Sequence, residues 1–108
     1  MLPGSVRIFV CSEPQDMRRS FDRLALATEE FLGEDPRSGS LFVFVGKTAT
    51  RCKVLWWDRN GYCLLYKRLH RAMFVLPATP DGKVVMRIDG AALAALLQGV
   101  AKTYEKES

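Results

Sequence analysis

No apolar run in this chain of 108 residues approaches the roughly 18 that a membrane span needs, so no spanning helix is expected. The start, Met1 to Ser5, lacks a cationic segment followed by an apolar stretch and a small-residue cleavage site, and no signal peptide is expected. Cysteine is sparse. Cys11, Cys52 and Cys63 are widely spaced with no CxxC pair, which argues against a zinc site or a disulfide framework and for a reducing cytoplasm. The thiols are expected to pack as small buried hydrophobes. Histidine occurs once, at His70; a Cys–His nucleophile would need it beside a cysteine, and no orienting third group is identifiable. Gly46-Lys47-Thr48 lacks the upstream glycine and the spacing of a phosphate-cradling P-loop. Asp16, Asp22, Asp35, Asp58, Asp81 and Asp89 are scattered along the chain, several at cap or turn positions, whereas two-metal strand transfer needs carboxylates that converge on Mg²⁺. These gaps point away from an enzyme, a metal centre and a cofactor.

Acids are scarce in the middle of the chain. From Arg37 to Arg87, ten Lys or Arg face only Asp58 and Asp81, a local balance of +8. Residues 1–36 carry four bases and seven acids, and residues 88–108 two and three, giving −3 and −1 around that centre and +4 in total. A basic centre suits a polyanionic partner such as nucleic acid; from charge alone, a solvated Lys/Arg-rich surface fits equally well. The 48% hydrophobic and 26% charged fractions are those of a globular protein. The length gives one domain, 1–108, with 1–5 and 101–108 expected to fray.

Val6–Cys11 reads as a short strand or extended arm. A helix is expected next, capped by Ser12 with Gln15 or by Asp16, with Met17, Phe21, Leu24, Ala25, Thr28, Phe31 and Leu32 on its inner stripe and Gly33 as its stop. Leu41–Val45 is a continuous apolar strand closed by Gly46, and Met73–Pro77 and Lys83–Ile88 are further strands, with a turn at Pro80-Asp81-Gly82. Asp89 caps a last helix carrying Leu93, Leu96, Leu97 and Val100 on one side. The predicted fold class is α+β: one small domain whose largely antiparallel sheet of about five strands contains a central hairpin, flanked by an N-terminal and a C-terminal helix that cover one face.

That hairpin is the stretch Arg51–Leu69. Two apolar and aromatic arms flank Asp58-Arg59-Asn60-Gly61, and Asn-Gly between such arms is a strong reversal signal. A two-residue Asn60-Gly61 loop sets Trp57 opposite Leu64, whereas a three-residue loop with a Gly61 bulge sets Trp56 opposite Leu64. Both remain open, and with them which tryptophan faces solvent. Either way, paired arms bring Arg51 and Lys53 together with Lys67 and Arg68. With Arg71, and Arg18 and Arg19 from the first helix, these form the candidate nucleic-acid-binding set. The alternative is a protein–protein adaptor that docks a partner through exposed aromatics, Trp57, Tyr62, Tyr66 and Phe74, without contacting DNA.

Several segments together carry a family likeness. They are Pro14, Asp16-Met17-Arg18-Arg19-Ser20, Leu24, and Asp35-Pro36-Arg37-Ser38-Gly39-Ser40-Leu41-Phe42-Val43-Phe44. The second half adds Lys53-Val54-Leu55-Trp56-Trp57-Asp58, Gly61-Tyr62, Tyr66-Lys67-Arg68-Leu69 and Phe74. This pattern, spanning Pro14 to Gly99, resembles the TnpB-type accessory protein, the second open reading frame of the insertion-sequence sixty-six family of bacterial transposons. That family is unrelated to the RNA-guided nuclease of the same name. The resemblance implies a non-catalytic role in transposition beside a separate, larger transposase, with DNA contact and a bacterial cytoplasmic, nucleoid-compatible location. Two positions depart from the pattern. The loop after Leu41–Phe44 carries only Lys47 and Arg51 where the family has a basic cluster, and His70 stands where an acid commonly follows Lys67-Arg68-Leu69.

Overall fold

The computed structural model describes residues 6–79 and 82–102. Of the expected frays, 1–5 and the 103–108 part of 101–108 lie outside the described residues, as does Pro80-Asp81 of the expected turn; Ala101 is described and pairs with Ala72. The elements are β1 (Ile8–Cys11), α1 (Phe21–Ala27) continued by one π-helical turn (Thr28–Leu32), β2 (Leu41–Val45), β3 (Arg51–Asp58) and β4 (Gly61–Arg68). They continue with β5 (Ala72–Met73), β6 (Val85–Ile88), α2 (Gly90–Gln98) and β7 (Val100–Ala101). Five strands form one sheet in the order β4-β3-β2-β1-β6, and β5 pairs with β7 in a two-stranded ribbon. The α+β class, the largely antiparallel sheet and the flanking helices are as expected.

β1 runs parallel to β2, Ile8 opposite Leu41, because parallel neighbours need a crossover and α1 supplies it. The remaining pairings in the main sheet are antiparallel. β1 is therefore an interior strand with all four residues buried, and the hairpin, central in the chain, forms one edge of the sheet.

The helices cover opposite faces rather than one. Ile8, Val10, Leu41, Val43, Cys52 and Val54 pack with Leu93 and Leu96 of α2. Phe9, Cys11, Phe42, Phe44 and Leu55 pack with Leu24, Ala25, Ala27 and Leu32 from the α1 segment. A strand buried on both sides reads as an unbroken apolar run, which is what Leu41-Phe42-Val43-Phe44-Val45 is. Phe9 stacks on Phe42 across the β1–β2 pair, with centroids 5.8 Å apart. Each such large side chain contributes roughly 1.5–3 kcal/mol by leaving water.

Local expectations shift at three places. The first helix starts at Phe21 with Ser20 as N-cap, because the residues expected to cap it are engaged elsewhere. The Ser12 hydroxyl donates to the carbonyls of Lys83 and Val84, and Asp16 folds back on Arg18. Phe21 and Phe31, expected inside, are exposed, since the late start and the π-turn rotate the stripe. At the C-terminal end, Asp89 caps α2 by accepting from the Ala92 N–H at 2.8 Å. Gly99 then turns the chain at φ 76°, so Val100 leaves the helix and joins β7, exposed. The expected Met73–Pro77 strand reduces to the short β5.

The hairpin takes neither expected register. Asp58 pairs with Gly61, Trp57 with Tyr62 and Trp56 with Cys63, so the loop residues are Arg59 and Asn60. Arg59 carries the positive φ, 58°, in place of Gly61. Trp56 packs against the α2-side core, and Trp57 points to the α1 side, edge-on to Tyr62 at 5.0 Å.

Candidate nucleic-acid interface

β2 passes into β3 through a tight turn in which the Ala49 N–H donates to the Gly46 carbonyl at 3.0 Å. The segment between β1 and α1 lies directly against it. The Gln15 N–H donates to the Val45 carbonyl, and a Cβ on Gly46 would sit 2.7 Å from Met17 Cγ. Gln15 is buried and holds the segment in place: its amide donates to the Glu13 carbonyl and its Oε1 accepts from Arg19 at 3.0 Å. Asp16 accepts from the Arg18 N–H at 2.9 Å and receives the Arg18 guanidinium on both oxygens.

Between these two segments lies an open cleft of about 500 Å³. Gln15 to Arg18 form one wall, and Gly46 to Thr48, with Thr50 and Arg51, form the other. Arg51 also lines the neighbouring depression with Tyr66 and Arg68. Arg51 and Arg68 stand directly opposite one another on β3 and β4, and among the described residues neither is paired with a carboxylate. Like charges placed opposite across a sheet repel, and an anion seated between them relieves that repulsion. The Thr48 and Thr50 hydroxyls, 3.0 Å apart, add neutral donors. The Arg18 guanidinium is almost fully exposed in its ion pair with Asp16. That pair holds the Asp16 carboxyl well below the usual carboxylate range, chiefly through the Arg18 side-chain hydrogen bonds.

Of the cations singled out in the sequence, the structure gathers Arg18, Arg51 and Arg68 around this cleft. Lys53 has another task. It is 6% exposed, its ammonium donates to the Arg19 carbonyl at 2.6 Å, and it lies over the Tyr66 ring at 4.6 Å. Lys67 is on the opposite face, donating to the Leu97 carbonyl at 2.7 Å, where a cation suits the C-terminal end of α2. Arg19 is half-buried against Gln15. Arg71 lies in the loop after β4, its carbonyl accepting from the Lys102 N–H. Lys47 was missing from the sequence-derived set. Its signal was the Gly46 break after an apolar strand, which puts Lys47 in a reversal close to Arg51. The loop's two cations are thus joined by Arg18 and Arg68 from neighbouring segments.

The four aromatics divide as well. Phe74 is 3% exposed, in the α2-side core. Tyr66 is 51% exposed beside the basic depression. Trp57 and Tyr62 lie at the turn end of the hairpin, with the Arg37 guanidinium 4.6 Å above the Trp57 ring. Next to them is a second cleft lined by Asp22, Glu29 and Asp35 together with Arg37 and Tyr62. The α1 face is therefore basic at one end and rich in carboxylates at the other. Cys11 and Cys52 are buried as expected, whereas Cys63 is half-buried; burial pushes the Cys52 thiol up to about 12. No helix among the described residues is long and apolar enough to cross a membrane.

The chain is thus a small α+β domain with a basic cleft at the open end of its edge hairpin. Residues 6–107 match the family described as IS66 Orf2 like protein, and the chain belongs to that family of insertion-sequence accessory proteins. An uncharacterized protein of Sinorhizobium fredii, y4hO, is 39% identical over 110 residues that cover 100% of this chain and 94% of the relative. A second from the same organism, y4jC, also uncharacterized, is 35% identical over 81 residues, covering 75% of this chain and 69% of the relative. No solved structure matches the chain.

Proposed function

We propose that this insertion-sequence accessory protein binds DNA, holding the phosphate backbone across the cleft lined by Arg18, Lys47 and Arg51 and the adjoining depression lined by Arg51 and Arg68, and that it acts without catalysis beside the element's transposase. The observation that carries this reading is the Arg51–Arg68 cross-strand pair, two like charges facing each other with no carboxylate partner among the described residues. Backbone contacts of this kind position a protein on a duplex with little sequence readout. Tyr66, exposed beside the two arginines, is placed to stack on an unpaired base at a strand end.

The test is fluorescence anisotropy with two labelled duplexes, one carrying the element's terminal repeat and one a scrambled sequence. The purified protein is expected to bind both at low salt, and Arg51→Glu with Arg68→Glu to abolish binding while the fold persists. Absence of binding at low salt, or binding indifferent to the charge reversal, would overturn the proposal. A second reading, docking of the transposase, draws on the opposite end of the α1 face. There the carboxylates beside Trp57 and Tyr62 would repel DNA and suit a basic protein segment. Both activities fit on one molecule, one at each end.

A further inference from the structure

β4 is the outermost strand of the main sheet, and its eight residues make it twice as long as β6, the four-residue strand at the other edge. Among the described residues no backbone hydrogen bond reaches its outer side. A long free edge is a template for another strand unless it carries proline, a bulge or a charge near its middle. β4 has none of these. Its pairing with β3 runs unbroken from Gly61 to Arg68, and its only charges are the last two residues, Lys67 and Arg68. Its middle is apolar and open to solvent, with Leu65 39% and Tyr66 51% exposed.

We propose that β4 pairs with β4 of a second copy of this chain, antiparallel and two-fold symmetric about Leu65, joining the two sheets into one of ten strands. Charge selects the orientation: a parallel pairing would align Lys67 and Arg68 with their own copies, whereas the antiparallel one sends them to opposite ends. Centring on Leu65 then sets Leu65 against its copy, Leu64 against Tyr66, Cys63 against Lys67 and Tyr62 against Arg68. No like charges oppose one another, and the arginine meets an aromatic face that attracts it. The absence of acids from β4 makes self-pairing a match of apolar centre to apolar centre, with no need of an acidic partner strand. The two-fold axis stands perpendicular to the sheet, so both α1 faces look the same way. Arg68 of one copy and Arg68 of the other lie about 20 Å apart along the strands, three residues either side of the axis.

The inference is independent of nucleic-acid binding and is tested without DNA. Sedimentation and light scattering of the full chain are expected to report twice the 12.2 kDa of one copy. Leu65→Lys, which places two ammonium groups on the axis at an already exposed position, is expected to halve that mass with the circular dichroism unchanged. In a Cys63→Ser background, Leu65→Cys is expected to give a covalent dimer under mild oxidation, since residues facing one another on the axis lie within disulfide reach. A wild-type monomer at all concentrations would overturn the proposal. So would a dimer that survives Leu65→Lys and resists the Leu65→Cys cross-link, because it would use another surface. Should Leu65→Lys fail to fold, the cross-link decides alone.

Discussion

Lys53 and Arg51 are two positions apart on the same face of β3, yet their surroundings give them different tasks. The Lys53 ammonium is sealed in by the Arg19 carbonyl and the Tyr66 ring. Lys53→Ala leaves that carbonyl short of a donor, and the expected loss of stability is about 1–3 kcal/mol, measured by denaturant melts. The salt dependence of DNA binding should stay as in the wild type. Arg51→Ala should do the reverse, relieving repulsion in the fold and weakening DNA binding. Asp16 competes with phosphate for Arg18. Folding lowers the Asp16 pKa, so the pair's small contribution is present above the ordinary aspartate value of about 3.9 and is lost only in stronger acid. Between pH 5 and 8 this carboxylate therefore leaves both stability and DNA affinity flat. Asp16→Asn frees Arg18 at every pH, and the logarithmic salt slope of DNA binding should steepen by about one. An unchanged slope would show that Arg18 does not reach phosphate.

Two turns control how the elements meet. Arg59 holds a left-handed conformation at the hairpin tip, which costs a side-chain-bearing residue about 1–2 kcal/mol. Arg59→Gly should recover part of that and raise the melting temperature. Gly99 reverses the chain between α2 and β7, where a Cβ would meet Leu69 Cδ1 at 2.5 Å and the Met73 carbonyl oxygen at 3.0 Å. Gly99→Ala should destabilise by about 1–3 kcal/mol. These turns also mark how far the elements were legible in the sequence. Leu41–Val45, the hairpin arms and the Asp89 cap were readable because apolar continuity and capping chemistry are local. The hairpin register was not, because Arg59 took the strained position that Asn-Gly chemistry assigns elsewhere. Nor was the start of α1, where Ser12 and Asp16 offered good caps, because the Lys83 and Val84 carbonyls claimed the Ser12 hydroxyl and the neighbouring Arg18 claimed the Asp16 carboxylate.

Across the whole molecule, the sequence contained the basic centre but not its division between faces. Strand alternation separates Lys67 from Arg68, and burial separates Lys53 from Arg51. The remaining arginines meet Arg18 and Lys47 only because β1 runs beside β2 and lays residues 15–18 against the β2–β3 turn. That parallel pairing is a long-range choice with no local signature. Its result is an α1 face with cations at one end and Asp22, Glu29 and Asp35 at the other, a polarity suited to orienting the protein on a duplex. The most direct measurement is the slope of log affinity against log salt for a labelled duplex, wild type beside Arg51→Ala/Arg68→Ala. Lys47, Arg51 and Arg68 on phosphates, with Arg18 still held by Asp16, predict a wild-type slope of about −3, shallower by about two in the double variant. Equal slopes would place the phosphate contacts elsewhere and contradict the account.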